Sequence, residues 1–291
     1  MTRTGVAPAA VLDLFSTSPG LAAEHRRLMD ARRRRVQWAE STAATLPSSL
    51  REGLGHLWRD RMVAEHRSVG VFALYLLDLL GTGAPAEVLS HACRASLDEV
   101  RHAELFGRLA ALYTGREESP PHGIPAMPDD PSIAMRHQTA REALHLSVLS
   151  ETYSSVLLHE LHRAARDPVV RDVLGIVMAD EVHHARMGWA YLASLLAHDD
   201  GSLRACLQLD LHAVVDGLVA SLFGDPVTLR ESSVRPEHRA LAAAHGYLAP
   251  SDEWDLFRST VTEVWVPGLA RLGLDASGLD DRYPARPEVA G

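Results

Sequence analysis

The chain has 291 residues, of which 46% are hydrophobic, and a formal net charge of −9. This length can bury a sizeable core, no apolar run reaches the about 18 residues of a membrane span, and the N-terminus does not resemble a signal peptide. The acidic balance argues against nucleic acid as a partner, and two distant cysteines, Cys93 and Cys206, suit a reducing, cytoplasmic setting.

Helical patterning dominates the chain from end to end. A polar segment at 2–20 precedes a charged helix predicted near 21–42. The first of four long helices follows Pro47, with Ser49 and Glu52 in the spacing of a capping box. The expected bounds of the four long helices are about 48–80, 85–113, 132–166 and 168–197, and further helices are predicted near 202–223, 236–247 and 251–271.

The links between the four long helices differ in length. Gly81–Gly83 forms one short turn, and Asp167 with Pro168 gives an N-cap and a first helical position at another. The Pro- and Gly-rich segment 115–131 is long enough, at about 3.3 Å per residue, to run along a whole bundle. Two short links around one long crossover are typical of ferritin-like bundles.

We therefore predict an all-α fold, a ferritin-like four-helix bundle with additional N-terminal and C-terminal helices. The expected parts are an N-terminal segment with an accessory helix at 1–48, the bundle at 49–198, accessory helices packed on it at 199–275, and a flexible tail at 276–291.

Two segments of the chain repeat each other: DEVRH at 98–102 and DEVHH at 180–184. In each, Glu and His stand three residues apart, which places both on one face of a helix. That face otherwise carries apolar residues, so the pairs should point into the core. Burying them unpaired would be costly, and coordination to a metal removes that cost. The pairs are Glu99 with His102 and Glu181 with His184.

Each pair needs a carboxylate from the helix across its hairpin. Glu65 and Glu151 are level with the pairs, because the sequence midpoints fall at the Gly81–Gly83 and Asp167 turns. Glu142 and Glu160 do not come level with the Glu-His pair across their hairpin. The predicted ligands, which are also the predicted catalytic residues, are Glu65, Glu99, His102, Glu151, Glu181 and His184.

Four carboxylates and two imidazoles suit two iron ions, and manganese at one position is chemically compatible with the same ligands. Asp98 and Asp180 could each accept a hydrogen bond from the ligand His of the opposite motif and fix its orientation. Whether His183 or His212 contributes a further ligand is left open. Cys93 is expected to fill space in the core.

These residues resemble the ferritin-like di-iron carboxylate superfamily over about residues 49–198. The motif at 98–102 is similar to the Asp-Glu-x-Arg-His form of bacterial multicomponent monooxygenases, while His183 replaces the Arg in the second copy. Chain length and ligand spacing look closer to single-chain N-oxygenases, although Val177 stands where those enzymes have a third His. Phe106 replaces the radical-bearing Tyr expected of a ribonucleotide reductase small subunit.

The resemblance implies a non-haem di-iron oxygenase or oxidase that activates O2 to oxidise a small organic substrate, by hydroxylation, N-oxygenation or a related reaction, in specialised metabolism. It also implies an electron donor such as a ferredoxin or a reductase. The alternative is a non-enzymatic, ferritin-like protein that binds and oxidises iron, and a helical interaction module with an inactive site is a third reading. The oligomeric state is left open, with a homodimer as one option.

Overall fold

The structure, a computed structural model, describes residues 36–120, 123, 133–224 and 234–283. Within these ranges every regular element is a helix and no strand occurs, so the predicted all-α class is confirmed. Most of the helix predicted near 21–42 lies outside the described residues. In the part inside, a short 3-10 helix, Trp38–Glu40, stands in place of the expected α-helix.

The four long helices follow one another closely along the chain. Helices α1 and α2 are continuous, α3 contains a π-helical stretch in its middle, and α4 is again continuous. Their bounds are Ser48–Gly81 for α1, Ala86–Thr114 for α2, Met135–Glu142, Ala143–Ser150 (π) and Glu151–Ala164 for α3, and Pro168–Ala197 for α4.

Helices α1–α4 form a helical bundle. Helix α1 packs along α2, α3 packs along α4, α2 contacts α4, and α1 contacts the first stretch of α3. Apolar residues fill the bundle in two clusters, one with Trp58 and Phe106 and another with Phe72 and Met187. The predicted ligand residues lie in sequence between the members of these clusters on every helix, so the site is at mid-height with apolar packing on both sides.

Further helices cover the α3 and α4 side of the bundle. Helix α5 and the long helix α7 contact α3, and their side chains form an aromatic and aliphatic cluster with those of α3 and α4. The bounds are Ser202–Phe223 for α5, Arg239–Ala243 for α6, Pro250–Thr260, Val261–Trp265 (π) and Val266–Arg271 for α7, and Leu279–Arg282 for α8.

Among the described residues, α5 is the one helix that is long and apolar enough to cross a membrane, with a mean hydropathy of 1.4 over its most apolar window. Its buried face, which includes Leu207, Leu211 and Val215, packs into the outer cluster. One third of that apolar window is buried in the protein, while Leu209 and Leu222 on the same helix are exposed.

Three expectations about helix ends need correction. The capping box of Ser49 and Glu52 does not form, because α1 begins one residue earlier and no side chain caps it. The helix predicted at 236–247 is shorter, with a 3-10 turn, Pro236–His238, before α6. The tail predicted at 276–291 is ordered at its start, since Leu279 and Tyr283 are buried in the outer cluster, and residues 284–291 lie outside the described residues.

The predicted N-cap of α4 is confirmed. Asp167 is 2% exposed, and its Oδ1 accepts hydrogen bonds of 3.0 Å from the backbone N–H groups of Val169 and Val170. Its Oδ2 accepts from the Ser41 hydroxyl and from the backbone N–H and hydroxyl of Thr42. One carboxylate thus caps α4 and anchors the segment before α1.

Replacing Asp167 with Ala should lower the free energy of unfolding by about 2–4 kcal/mol, because it removes a helix cap and leaves buried donors without a partner. Asp167→Asn should cost less, since an amide oxygen still caps the helix. Chemical denaturation of the metal-free protein measures both. Equal stability of Asp167→Ala and the wild type would contradict this role.

Candidate metal centre

The structure brings all six predicted ligand residues together inside the bundle. Each of the four long helices contributes one or two of them. They form two groups, and within each group the candidate ligand atoms all lie within 4.8 Å of one another. One group is Glu65, Glu99, His102 and Glu181, and the other is Glu99, Glu151, Glu181 and His184. Glu99 and Glu181 belong to both groups, so their two oxygens can face two ions.

The first group surrounds the Nδ1 atom of His102. This atom lies 3.1 Å from Oε1 of Glu181, 3.5 Å from Oε2 of Glu65 and 3.6 Å from Oε2 of Glu99. None of the three contacts has hydrogen-bond geometry. The imidazole nitrogen and three carboxylates therefore converge on a common space rather than pairing with each other.

The second group surrounds Nδ1 of His184 in the same way. This atom lies 3.2 Å from Oε1 of Glu99, 3.7 Å from Oε2 of Glu181 and 3.8 Å from Oε2 of Glu151. The rings of His102 and His184 are 6.0 Å apart between centroids. The two groups are therefore neighbours, related by the repeated motifs.

Burial of polar atoms without hydrogen bonds tests whether a metal fits here. Both carboxylate oxygens of Glu99 and the Nδ1 atoms of His102 and His184 are fully buried and have no hydrogen-bond partner. Such atoms are costly in a protein interior unless something satisfies them. A cation at each group would be bound by these atoms, so the donor set fits two metal ions.

The two aspartates of the repeated motifs face the outer nitrogens of the imidazoles, with a hydrogen bond at His102 and a longer contact at His184. Nε2 of His102 donates to Oδ2 of Asp180 at 3.2 Å, and Nε2 of His184 faces Oδ2 of Asp98 at 3.5 Å. Each His thus meets the aspartate of the opposite motif, which confirms the predicted pairing. An N–H directed at an aspartate leaves the Nδ1 lone pair free for a metal.

Burial and mutual contact shift the ionisation of the cluster. Burial raises the pKa of Glu65 and of Glu151 well above the usual value. The charges of Glu99 and Glu181 raise that of Glu65 further, and Glu181 raises that of Glu151. Burial lowers the pKa of His102 and His184, but the surrounding carboxylates outweigh it and hold both pKa values well above 6.5.

The two shared carboxylates behave in the opposite way. Burial raises the pKa of Glu181, yet its contacts with Glu151, His102 and His184 outweigh burial and bring the pKa well below 4.5. Burial and the charge of Glu181 raise the pKa of Glu99, but the imidazoles leave it lowered. Without metal, the shifts therefore favour protons on Glu65, Glu151 and both imidazoles and favour charge on Glu99 and Glu181.

Metal loading should release protons, because coordinated carboxylate and imidazole groups must give them up. Because the pKa values of Glu65, Glu151, His102 and His184 are raised, we expect a net release of protons when divalent ions bind near neutral pH. Calorimetric titration with Zn²⁺ in buffers of different ionisation enthalpy gives the number of protons released. Loading without proton release would contradict the ionisation states assigned here.

The same pKa shifts fix the sign of the pH dependence of stability. Folded pKa values above the unfolded value of 6.5 mean that the stability contributed by His102 and His184 is complete below pH 6.5 and is lost as pH rises through the folded values. The raised pKa values of Glu65 and Glu151 act in the same direction. The metal-free protein should therefore lose stability as pH rises above about 6.5, and the stabilisation by metal should grow.

A π-helical stretch positions Glu151. It spans Ala143–Ser150 and ends directly before this ligand, where the wider turn changes the direction of the side chains that follow. Gly188 packs against it so closely that an added Cβ would lie 2.3 Å from Cβ of Ser147 and 2.7 Å from its carbonyl carbon. The close approach of α3 and α4 at this level thus depends on a glycine one turn after His184.

Several other residues named from sequence lie elsewhere. His183 and His212 are exposed and belong to neither group, so neither adds a ligand. Cys93 is exposed on α2, and the expectation that it fills the core is wrong. Glu142 and Glu160, which the sequence places at a different height from the two Glu-His pairs, lie outside both ligand groups. Glu142 accepts a hydrogen bond of 2.7 Å from the Gln138 amide, and Glu160 pairs with Arg163.

One contact of the site was not predicted. Arg94, one turn before Asp98 on α2, places Nε 3.2 Å from Oδ2 of Asp98 and Nη2 3.6 Å from Oδ1 of Asp180. The spacing from Arg94 to Asp98 is an ordinary helical ion-pair spacing, and in a chain whose 29 basic residues are all Arg it did not stand out.

No protein-family model matches the chain, and neither does any curated protein or solved structure. The assignment of the site therefore rests on its own geometry.

Proposed function

We propose that this protein is a non-haem di-iron oxygenase or oxidase that uses O2 to oxidise a small organic substrate. One observation carries the proposal: two adjacent, buried groups of metal-ligating side chains share Glu99 and Glu181. A shared pair of carboxylates is what two neighbouring cations need, because each carboxylate can place one oxygen on each ion.

The arrangement of the helices supports a ferritin-like four-helix bundle. Carboxylates on α1 and α3 and a Glu-x-x-His pair on each of α2 and α4 are the ligand pattern of di-iron bundles. The hairpins α1–α2 and α3–α4 are joined by the longer segment between Thr114 and Met135, as that topology requires.

The donor set also supports the choice of metal. Four carboxylates and two imidazoles favour iron or manganese over metals that prefer thiolates, so two iron ions, or one manganese and one iron, are the proposed cofactor. When bound, two ferrous ions supply the electrons with which O2 is activated. A ferredoxin or a reductase is proposed as the donor that restores the ferrous state.

The chain's own part is to hold the ligands and to keep water away. Five of the six ligand side chains are at most 7% exposed, whereas Glu65 is 16% exposed. Glu65 is the most exposed of the six, and we propose that small molecules approach the centre there. The aspartates behind His102 and His184 keep both imidazoles oriented.

Space for a small molecule also exists between the outer helices. A cleft of about 380 Å³ lies where α5 ends and α7 begins, bordered by Phe223, Pro250 and Glu253. The Tyr153 hydroxyl, two residues from the ligand Glu151, donates to Glu253 at 3.4 Å. These outer helices favour a dedicated enzyme over an iron store.

Anaerobic titration with Fe²⁺ followed by exposure to O2 separates the candidate functions. An enzyme of this class should bind about two iron ions per chain and stop there, with O2 consumption that continues only when a reductant is supplied. Continued uptake of many iron ions per chain would favour the iron-storing alternative. Failure to bind any iron would leave the repeated motifs as a structural feature of the bundle.

A further inference from the structure

One guanidinium group contacts both aspartates that orient the imidazoles. Nε of Arg94 donates to Oδ2 of Asp98 at 3.2 Å, and its Nη2 lies 3.6 Å from Oδ1 of Asp180. Asp98 faces His184, and Asp180 accepts from His102. Two hydrogen bonds and two longer charge contacts therefore connect one imidazole through Arg94 to the other.

The geometry of these contacts depends on properties that only Arg has. The planar guanidinium presents donors in fixed directions and can meet two carboxylates at once, whereas a Lys ammonium is a single point charge. The pairing with Asp98 lies within α2, but the contact with Asp180 crosses to α4. Arg94 thus links the two helices that carry the two ligand histidines.

Packing does not explain the position of Arg94. Its side chain is 38% exposed, while Asp98 and Asp180 are 10% and 2% exposed. The charge sits at the surface and reaches inward to the aspartates. In the second motif, His183 stands where the first motif has Arg101. His183 is exposed and belongs to neither ligand group.

We propose that Arg94 is a positioning residue that couples the two metal sites, so that one ion prepares the site for the next. An ion at His184 fixes that ring against Asp98, which fixes Arg94, and the other end of Arg94 then holds Asp180 and His102 in place. The two sites fill in one cooperative step. This inference rests on the proposed two-metal site but not on the oxygen chemistry.

Titration with Co²⁺, followed by its visible absorption and by calorimetry, tests the coupling without any turnover. The wild type should bind two ions in a single cooperative transition. Arg94→Met should weaken binding by about 10–100-fold, the usual effect of losing a partner behind a ligand, and should separate the two binding steps. Arg186→Met is the matched control, because Arg186 is an exposed Arg on α4, the helix that carries Asp180.

Arg94→Lys distinguishes positioning from charge. Lys can keep the pairing with Asp98 on the same helix but cannot also reach Asp180, so the site of His184 should stay tight while the site of His102 weakens. Two resolved steps in Arg94→Lys, with circular dichroism unchanged, would support the coupling. A single unchanged transition in both Arg94 variants would overturn it. Absence of Co²⁺ binding by the wild type would instead overturn the metal site itself.

Discussion

Replacing Glu99 with Ala should weaken binding at both metal positions by at least about 100-fold. Glu99 belongs to both ligand groups, and both of its oxygens are buried without a hydrogen-bond partner. A ligand shared by two ions cannot be lost from one alone. Glu65→Ala and Glu151→Ala should behave differently, because each of these residues belongs to a single group. Each should weaken one ion strongly and leave the other measurable in a Co²⁺ titration.

Glu160→Ala is a suitable control for this series. Glu160 lies on α3 like Glu151, pairs with Arg163 at the surface, and should leave metal binding unchanged. The metal-free Glu99→Ala protein should unfold at a lower denaturant concentration than the wild type near neutral pH, since the two imidazoles lose a buried carboxylate whose pKa they hold low. Retention of two tightly bound ions in Glu99→Ala would contradict the shared-ligand arrangement.

Replacing Gly188 with Ala should destabilise the protein and disturb one of the two metal groups. The new methyl group would overlap Cβ and the backbone of Ser147, so α3 and α4 must move apart. Overpacking of this kind costs about 1–3 kcal/mol. Because Ser147 lies in the π-helical stretch before Glu151, the group of Glu151 and His184 should lose more affinity than the group of Glu65 and His102.

Gly217→Ala should stabilise the protein, in contrast to Gly188→Ala. Gly217 lies within α5, and an added Cβ would meet nothing within 4 Å. This substitution should raise the free energy of unfolding by up to about 1 kcal/mol, since Ala favours a helix over Gly. Thermal unfolding of both variants, with and without Zn²⁺, measures the contrast. Equal effects of the two substitutions would show that the close contact at Gly188 does not constrain the site.

The ligand set could be predicted because helix geometry and hairpin folding constrain it. Two Glu-x-x-His pairs must point inward if the rest of their helix faces is apolar, and antiparallel packing then requires partner carboxylates at the same level. Glu65 and Glu151 satisfied this requirement, and the structure places both in the ligand groups. The pairing of Asp98 and Asp180 with the opposite histidines follows from the same repeat.

Other features of the site could not be predicted from the sequence, because they depend on contacts between residues far apart in the chain. The π-helical stretch before Glu151 has the composition of an ordinary apolar helix, and its wider turns arise where Gly188 allows α4 to approach. The contact from Arg94 to Asp180 joins residues far apart in sequence. Cys93 was placed in the core from residue type alone, although its position on α2 faces outward.

The most direct test is an anomalous-scattering measurement at the iron edge on crystals loaded anaerobically with Fe²⁺. We expect two peaks inside the bundle, about 3.5–4 Å apart. One peak should lie between Glu65 and His102 and the other between Glu151 and His184, with Glu99 and Glu181 reaching both. A single peak, no peak, or peaks elsewhere on the protein would contradict the two-metal centre.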